Sequence, residues 1–561
     1  MTAGMHAAAL DTLPVPDMSP SVAVDADGFR LSQHFTEPSV IIGGNVTVDY
    51  ELENRGAGAR SDIALEIYFL LENTSLVSAP SQCRRQPSLS GQEILYCELG
   101  DFSAGSRRSF SVTVATSENS RPAVVASALI GDLRVDSSAP VVHDTLSDND
   151  GDGVSDFIET LRRTDPADAS SVDDSIAAID LMALYTPAAA RLYPASIENR
   201  INGFINAANS ALYNSEARIR LRPVHFQFVP YVESGDANRT LTELMSGSHP
   251  AFAGVMELRQ RYGADLVVLF DAAESETKCG LAPIGGFGMQ GDFSDPAEMA
   301  LGYAWVAADC AQDLVRAQEL GHNMGLTHSH REDGYGGTFD FATGYGVDEE
   351  FATVMATPSR FSVPNRTSIF SNPDLQCGEF ACGRPQNEDM GANATATLNI
   401  VAPQVESWLP RTMPDLPFLH GRSLIAGSTS ARLALAGQIN DELGYADSAG
   451  SGDVLRLVAE IEVDPQHIGL TGSFHVLITA DSREFHQLDR EIGLTLWDGT
   501  LGGLRSATFE RALRPIERFH IVDNYEVAAN LRGIEIQIYL AYQIPGEIIY
   551  LHQPLRLRFT N

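Results

Sequence analysis

The period of the apolar residues changes along this chain. Near the N-terminus Val46, Val48, Tyr50 and Leu52 alternate with Thr47, Asp49 and Glu51, and Phe110, Val112 and Val114 alternate with Ser111 and Thr113. Period two is the mark of strands with one buried face. Alternation returns near the C-terminus, where Leu455, Leu457, Ala459, Ile461 and Val463 share one face and Ile534, Ile536, Ile538 and Leu540 another. Between these ends the pattern differs. IAAIDLMALYTP, IRLRPVHFQFVPY, ADLVVLFDA and GYAWVAA read as strands, ADLVVLFDA being apolar throughout and so buried on both faces. Ile197, Ile201, Phe204, Ile205, Ala208 and Leu212 mark one side of a helix, and a shorter helix precedes Gly263.

Strands alternating with helices predict an α/β domain flanked by all-β sandwich modules. At 561 residues the chain is too long for one core. The boundaries expected are an N-terminal tail at 1–19 with no clear signal peptide, an immunoglobulin-like β-sandwich at 20–142, a linker at 143–172, the α/β domain at 173–412 and a β-rich module at 413–561, joined through RTMPDLP.

The linker carries DNDGDGVSDFIE. Asp148, Asp150, Asp152 and Asp156 fall at loop positions one, three, five and nine, the Val154 carbonyl at seven and Glu159 at twelve, with Gly153 at the sharp turn. Ca²⁺ is a hard ion that takes six to eight oxygens, and this spacing turns alternate carboxylates inward. The segment, with the LRRTDPADASS that follows, resembles the short calcium loops of thrombospondin type 3 and dockerin-like linkers. Its expected role is to stiffen the join between domains.

Composition narrows the partners. A formal net charge of −36 disfavours nucleic acid and anionic membrane, which need clustered cations. Cys83, Cys97, Cys279, Cys310, Cys377 and Cys382 form no CxxC, so three disulfides in an oxidising compartment are expected. Six cysteines allow 15 pairings. The local ones are Cys83/Cys97, Cys279/Cys310 and Cys377/Cys382. With no apolar run long enough to span a bilayer, this predicts an exported bacterial protein, secreted, periplasmic or at the cell surface.

The chemistry concentrates in AQELGHNMGLTH, residues 317–328. A zinc hydrolase needs three protein ligands, an open position for water and a carboxylate to take the water's proton. A helix supplies two ligands at i and i+4 with the base directly after the first. Those positions are Gln318, His322 and Glu319, and Gly325 suits the left-handed turn that would bring His328 back to the same face.

ELGHNMGLTH resembles the zinc signature of the metzincin metallopeptidases, matching at Glu319, His322, Gly325 and His328 and departing at Gln318. With Met355 in ATVMATP as the methionine turn, FSNPDLQCGEFACG and GANATATLN, residues 173–412 are similar to bacterial reprolysin-like (adamalysin-type) enzymes. The resemblance implies a zinc endopeptidase in which Glu319 serves as general base. The substrate would be protein or peptide, running extended beside GYAWVAA.

Gln318 divides the expectation. An amide oxygen is a poor zinc donor compared with imidazole, so either a weakened peptidase survives, with Gln318 or His330 as third donor, or the domain is a pseudopeptidase that binds without cutting. In either case the β modules are expected to make surface or carbohydrate contacts.

Overall fold

The computed structural model describes residues 21–560 except 27, 36–38, 41–44, 70–73, 88–92, 117–123, 131–132, 137–142, 145–163, 166–167, 169–170, 172–174, 195, 233–234, 273–278, 311–313, 333, 335–336, 387, 389, 481–483 and 509. The N-terminal tail and the acidic loop with Asp148, Asp150, Asp152, Val154, Asp156 and Glu159 lie outside the described residues.

The N-terminal part is a pair of five-stranded sheets. Val48, Tyr50, Leu52, Val112 and Val114 from one sheet meet Ile63, Leu65, Ile67, Leu95 and Cys97 from the other in a single core, as the alternation requires. Cys83 and Cys97 face each other across neighbouring strands and are bonded.

In the central domain the elements are β1 (Ala177–Tyr185), α1 (Pro187–Leu192), α2 (Ile197–Asn214), β2 (Ile219–Phe228), α3 (Ala237–Ser246), α4 (Val255–Tyr262), β3 (Leu266–Asp271), β4 (Gly280–Leu281), β5 (Tyr303–Ala307), α5 (Val315–Asn323) and α6 (Ala394–Val405). The sheet order is β2-β1-β3-β5-β4. All neighbours run parallel except β4, which is antiparallel to β5. Side-chain parity follows the pleat. Ile179, Leu181, Val268, Phe270, Ala304 and Val306 point to the face covered by α2, α5 and α6, whereas Met182, Leu184, Val267, Leu269 and Trp305 point to the face under α3 and α4.

GYAWVAA forms β5, which is inside the sheet, and the edge strand beside it is the two-residue β4. The Cys279–Cys310 disulfide fastens β4 to the end of β5, and Ala307 N donates to Cys279 O at 3.0 Å. β4 is too short to show a periodicity in the sequence.

The C-terminal module contains a four-stranded and a nine-stranded sheet. Its strands β6 (Arg432–Ile439), β7 (Val454–Glu462) and β8 (Ile516–Glu526) are consecutive in the smaller sheet. RTMPDLP is a packed join rather than a free spacer, because Met413 is buried and its carbonyl accepts from Arg222 Nη1 at 3.0 Å. The module lies on α2. Asn199 Nδ2 donates to the His520 carbonyl at 3.1 Å and its Oδ1 accepts from His520 N at 2.7 Å, while Asn206 Nδ2 donates to the Arg518 carbonyl at 3.0 Å. The polar side of α2, which periodicity alone would assign to solvent, is thus the seat of β8.

Candidate metal-site cleft

The site is built from α5 and two segments that fold back over it. Every residue of α5 is buried. Arg316 anchors its first turn, with Nη2 donating to the Ala307 carbonyl at 2.5 Å, and Asn323 anchors its last, with Nδ2 donating to the carbonyls of Leu301 (2.9 Å) and Tyr303 (3.0 Å). The helix thereby keeps a fixed position against β5.

Gly325 ends the helix. Gly325 N donates to His322 O at 3.0 Å and Leu326 N to Gly321 O at 2.9 Å, the paired bonds of a Schellman cap with the glycine at φ +84°. A Cβ at this position would also lie 2.7 Å from Thr338 Cγ2. The chain then returns, Thr327 N donating to Ala342 O at 2.8 Å, and His328 comes to face His322 with ring centroids 4.9 Å apart.

His322 is oriented by the turn it precedes. Its Nδ1 lies 2.8 Å from the Leu326 carbonyl, which only accepts, so the proton is on Nδ1 and Nε2 carries the lone pair. Burial, with His328 and Arg366 nearby, pushes its pKa down to about 3, and burial also lowers that of His328. Both imidazoles are therefore neutral donors at pH 7. Glu319 is buried, which pushes its carboxyl up to about 8 against the partial counter-effect of Arg366. Its carboxylate lies against the backbone of Gly280, where a Cβ would come within 2.4 Å of Oε1. The edge strand β4 thus passes directly over the Glu319 carboxyl.

Met355 is fully buried in a turn closed by Ala356 N donating to Thr353 O at 3.0 Å. It lies under α5, so that a Cβ on Gly321 would come within 2.7 Å of its Sδ. The expected set of Gln318, Glu319, His322, Gly325, His328 and Met355 is therefore gathered in one place. His330 is engaged elsewhere, its Nε2 lying 3.1 Å from the Gly391 carbonyl. Ser329 donates its Oγ to Glu332 Oε2 at 2.5 Å, and the same oxygen accepts from Thr357 N at 2.9 Å.

Sequence reading missed Arg366. Its Nη2 donates to Gln318 Oε1 at 2.6 Å and its Nε to the Val354 carbonyl at 2.9 Å. Its charge reaches Glu319, His322 and His328 as well. An arginine in the polar run VPNRTS shows no spacing relation to the helix motif, so only the fold brings the two together.

Residues 179–383 match the family described as Metallo-peptidase family M12B Reprolysin-like. This stretch is thus similar to metallopeptidases. A curated relative, the Peptidyl-Asp metalloendopeptidase of Pseudomonas aeruginosa, is 33% identical over an alignment of 270 positions that covers 44% of this chain and 43% of that protein. The chain thus spans less than half the length of that relative. Among solved structures, one titled as a chaperone–substrate complex matches at TM-score 0.33 and 18% identity over 43% of this chain and 40% of that one. Another, titled for AvmM and macrocyclization in alchivemycin A biosynthesis, matches at TM-score 0.14 and 16% identity over 22% of this chain and 97% of that one. At these scores neither carries an argument.

The family implies a metal, typically zinc, and a protein or peptide substrate. The donors here test that implication. His322 and His328 are suitable imidazoles, but the third position offers a neutral amide oxygen that already accepts from a guanidinium. A divalent ion there would displace that hydrogen bond and face the arginine's positive charge. The set does not fit a catalytic zinc.

Proposed function

We propose that the central domain binds extended peptides as an endopeptidase does and is severely impaired in cutting them. The observation that carries this reading is the 2.6 Å bond from Arg366 Nη2 to Gln318 Oε1, which puts a cation at the third-ligand position. The peptide adds as a strand to β4, with its backbone passing Glu319. The printed name of the Pseudomonas aeruginosa relative supports a preference for aspartate-containing peptides. Three disulfides support export, and no helix among the described residues is long and apolar enough to cross a membrane. The acidic loop around Asp148–Glu159 is proposed as a calcium site that stiffens the linker, on its spacing alone. Surface or carbohydrate contact through the β modules rests on architecture alone.

The test is metal analysis and peptide digestion of the purified chain, of Gln318→His and of Glu319→Ala. Wild type should carry far less than one zinc per chain and show little hydrolysis. Gln318→His should bind zinc at least about tenfold more tightly, the lower end of what losing even a residue that only orients a ligand costs. Stoichiometric zinc in wild type, with cleavage that Glu319→Ala abolishes, would show instead a working peptidase.

A further inference from the structure

The core of the C-terminal module is uncovered at one end. Its nine-stranded sheet finishes in a hairpin of two short strands, His486–Asp489 and Gly493–Leu496, and among the described residues the second strand pairs with the first alone. Residues directly opposite each other on neighbouring strands share a face. Along one such row Ile538 is opposite Ile478, Ile478 opposite His486 and His486 opposite Leu496. Ile538 belongs to the module's core and is inaccessible to solvent, yet Leu496 at the far end of the row is 62% exposed. Leu494 is on this face too, opposite Leu488, and is 56% exposed. The core-facing side of the large sheet thus runs past the smaller sheet that covers it. We infer that a second copy of the chain docks here, its strand Gly493–Leu496 adding antiparallel to the same strand of the first copy. This contact is independent of what the cleft binds.

The backbone at this edge is set for pairing. Trp497 N donates to Phe485 O at 2.8 Å, inside the hairpin. Backbone groups in an antiparallel ladder alternate in direction, so the N–H and C=O of Leu494 and Leu496 point outward. The strand itself, GLTL, has no charge or proline of the kind that keeps edges from pairing. The occupant follows from symmetry and charge. Antiparallel pairing that sets Leu494 opposite Leu496 of the second copy puts all four leucines on one face, and a two-fold axis covers both copies in a single contact. Arg490 stands at the hairpin turn and Asp498 just past the other end of the strand. Antiparallel strands bring Arg490 of each copy beside Asp498 of the other, whereas parallel ones would set like charges together. Arg490 already lies 3.0 Å from Glu491 of its own chain, and the contact adds a second carboxylate to that surface pair.

The experiment is sedimentation velocity of the full chain over a concentration series. The net charge of −36 makes two copies repel at long range, so the series is run at about 0.15 M salt, where that repulsion is screened beyond about 8 Å. Wild type should pass from monomer to dimer as its concentration rises through the micromolar range, as a small interface implies, and go no further. Leu494→Lys with Leu496→Lys should stay monomeric throughout and melt as dilute wild type does, because both side chains are exposed in the monomer. Leu496→Pro removes an N–H that points outward, so it should abolish the dimer and leave the monomer folded. Arg490→Glu should weaken the dimer several-fold, and adding Asp498→Arg should restore it.

A wild type that is monomeric at every concentration overturns the inference, and so does a dimer that survives the two lysines, since it must use another surface. Species that grow beyond the dimer would mean a head-to-tail contact. A dimer lost to the lysines but kept by Leu496→Pro would mean apolar contact without strand pairing. Either result also overturns the two-fold strand addition.

Discussion

The cleft depends on Gly325, which must do two things that only glycine allows. Its φ of +84° lies in the left-handed region, and Thr338 occupies the space a Cβ would need. Gly325→Ala should destabilise the chain by about 1–3 kcal/mol, the cost of a strained backbone position, read as a lower denaturant midpoint with an unchanged slope. The same variant should move Leu326 and so loosen the bond that sets the His322 tautomer. Glu319, His322, Gly325 and His328 were legible in the sequence because a helix and its cap impose fixed spacings on them, and Met355 through the resemblance that ATVMATP carries. Arg366 was not, since it belongs to a loop and meets Gln318 across 48 positions of chain.

Elements were legible where they were long. The strands β1, β2, β3 and β5 and the helix α2 fall where periodicity puts them, but β4 spans two residues and owes its place to the Cys279–Cys310 tether and to pairing with β5. Neither cause has a period. The pairing of β1 with β3 carries a further contact at its mouth, where Asp265 Oδ2 accepts from Asp180 N at 2.8 Å. Burial, only partly offset by such backbone bonds, pushes the Asp265 carboxyl up to about 8 from its ordinary value of 3.8. Because the folded state holds this proton more tightly than the unfolded chain, the associated stability is fully present below about pH 4 and is lost as the pH rises towards 8. Asp265→Asn keeps the acceptor and removes the titration. It should leave stability nearly unchanged at pH 4, raise it at pH 8 and flatten the curve between them, measured by thermal unfolding across that range.

For the whole molecule, the sequence suggests modules joined by a linker, yet the central and C-terminal parts share a buried charge cluster. Arg456 of β7 donates to Glu198 of α2 through Nε at 3.1 Å and Nη2 at 3.2 Å, and to Asp441 through Nη1 at 2.5 Å. His520 Nδ1 lies 3.1 Å from Glu198 Oε2, and the Glu198 side chain is wholly inaccessible to solvent. Glu198, His520 and Asp523 are close enough together to resemble a metal site, but the Arg456 guanidinium is their cation. A buried pair of this kind is costly to break from one side, because the remaining charge has no water to return to. Arg456→Met should therefore cost about 3–5 kcal/mol, and adding Glu198→Gln should recover much of it by removing the stranded carboxylate. Calorimetry distinguishes this from a general loss of stability. In wild type the central and C-terminal parts should unfold in one transition, since α2 and β8 cannot be exposed separately without opening the cluster. Arg456→Met should split that transition in two, and the double variant should rejoin it. If wild type already unfolds these parts in two steps, the cluster is not what couples them.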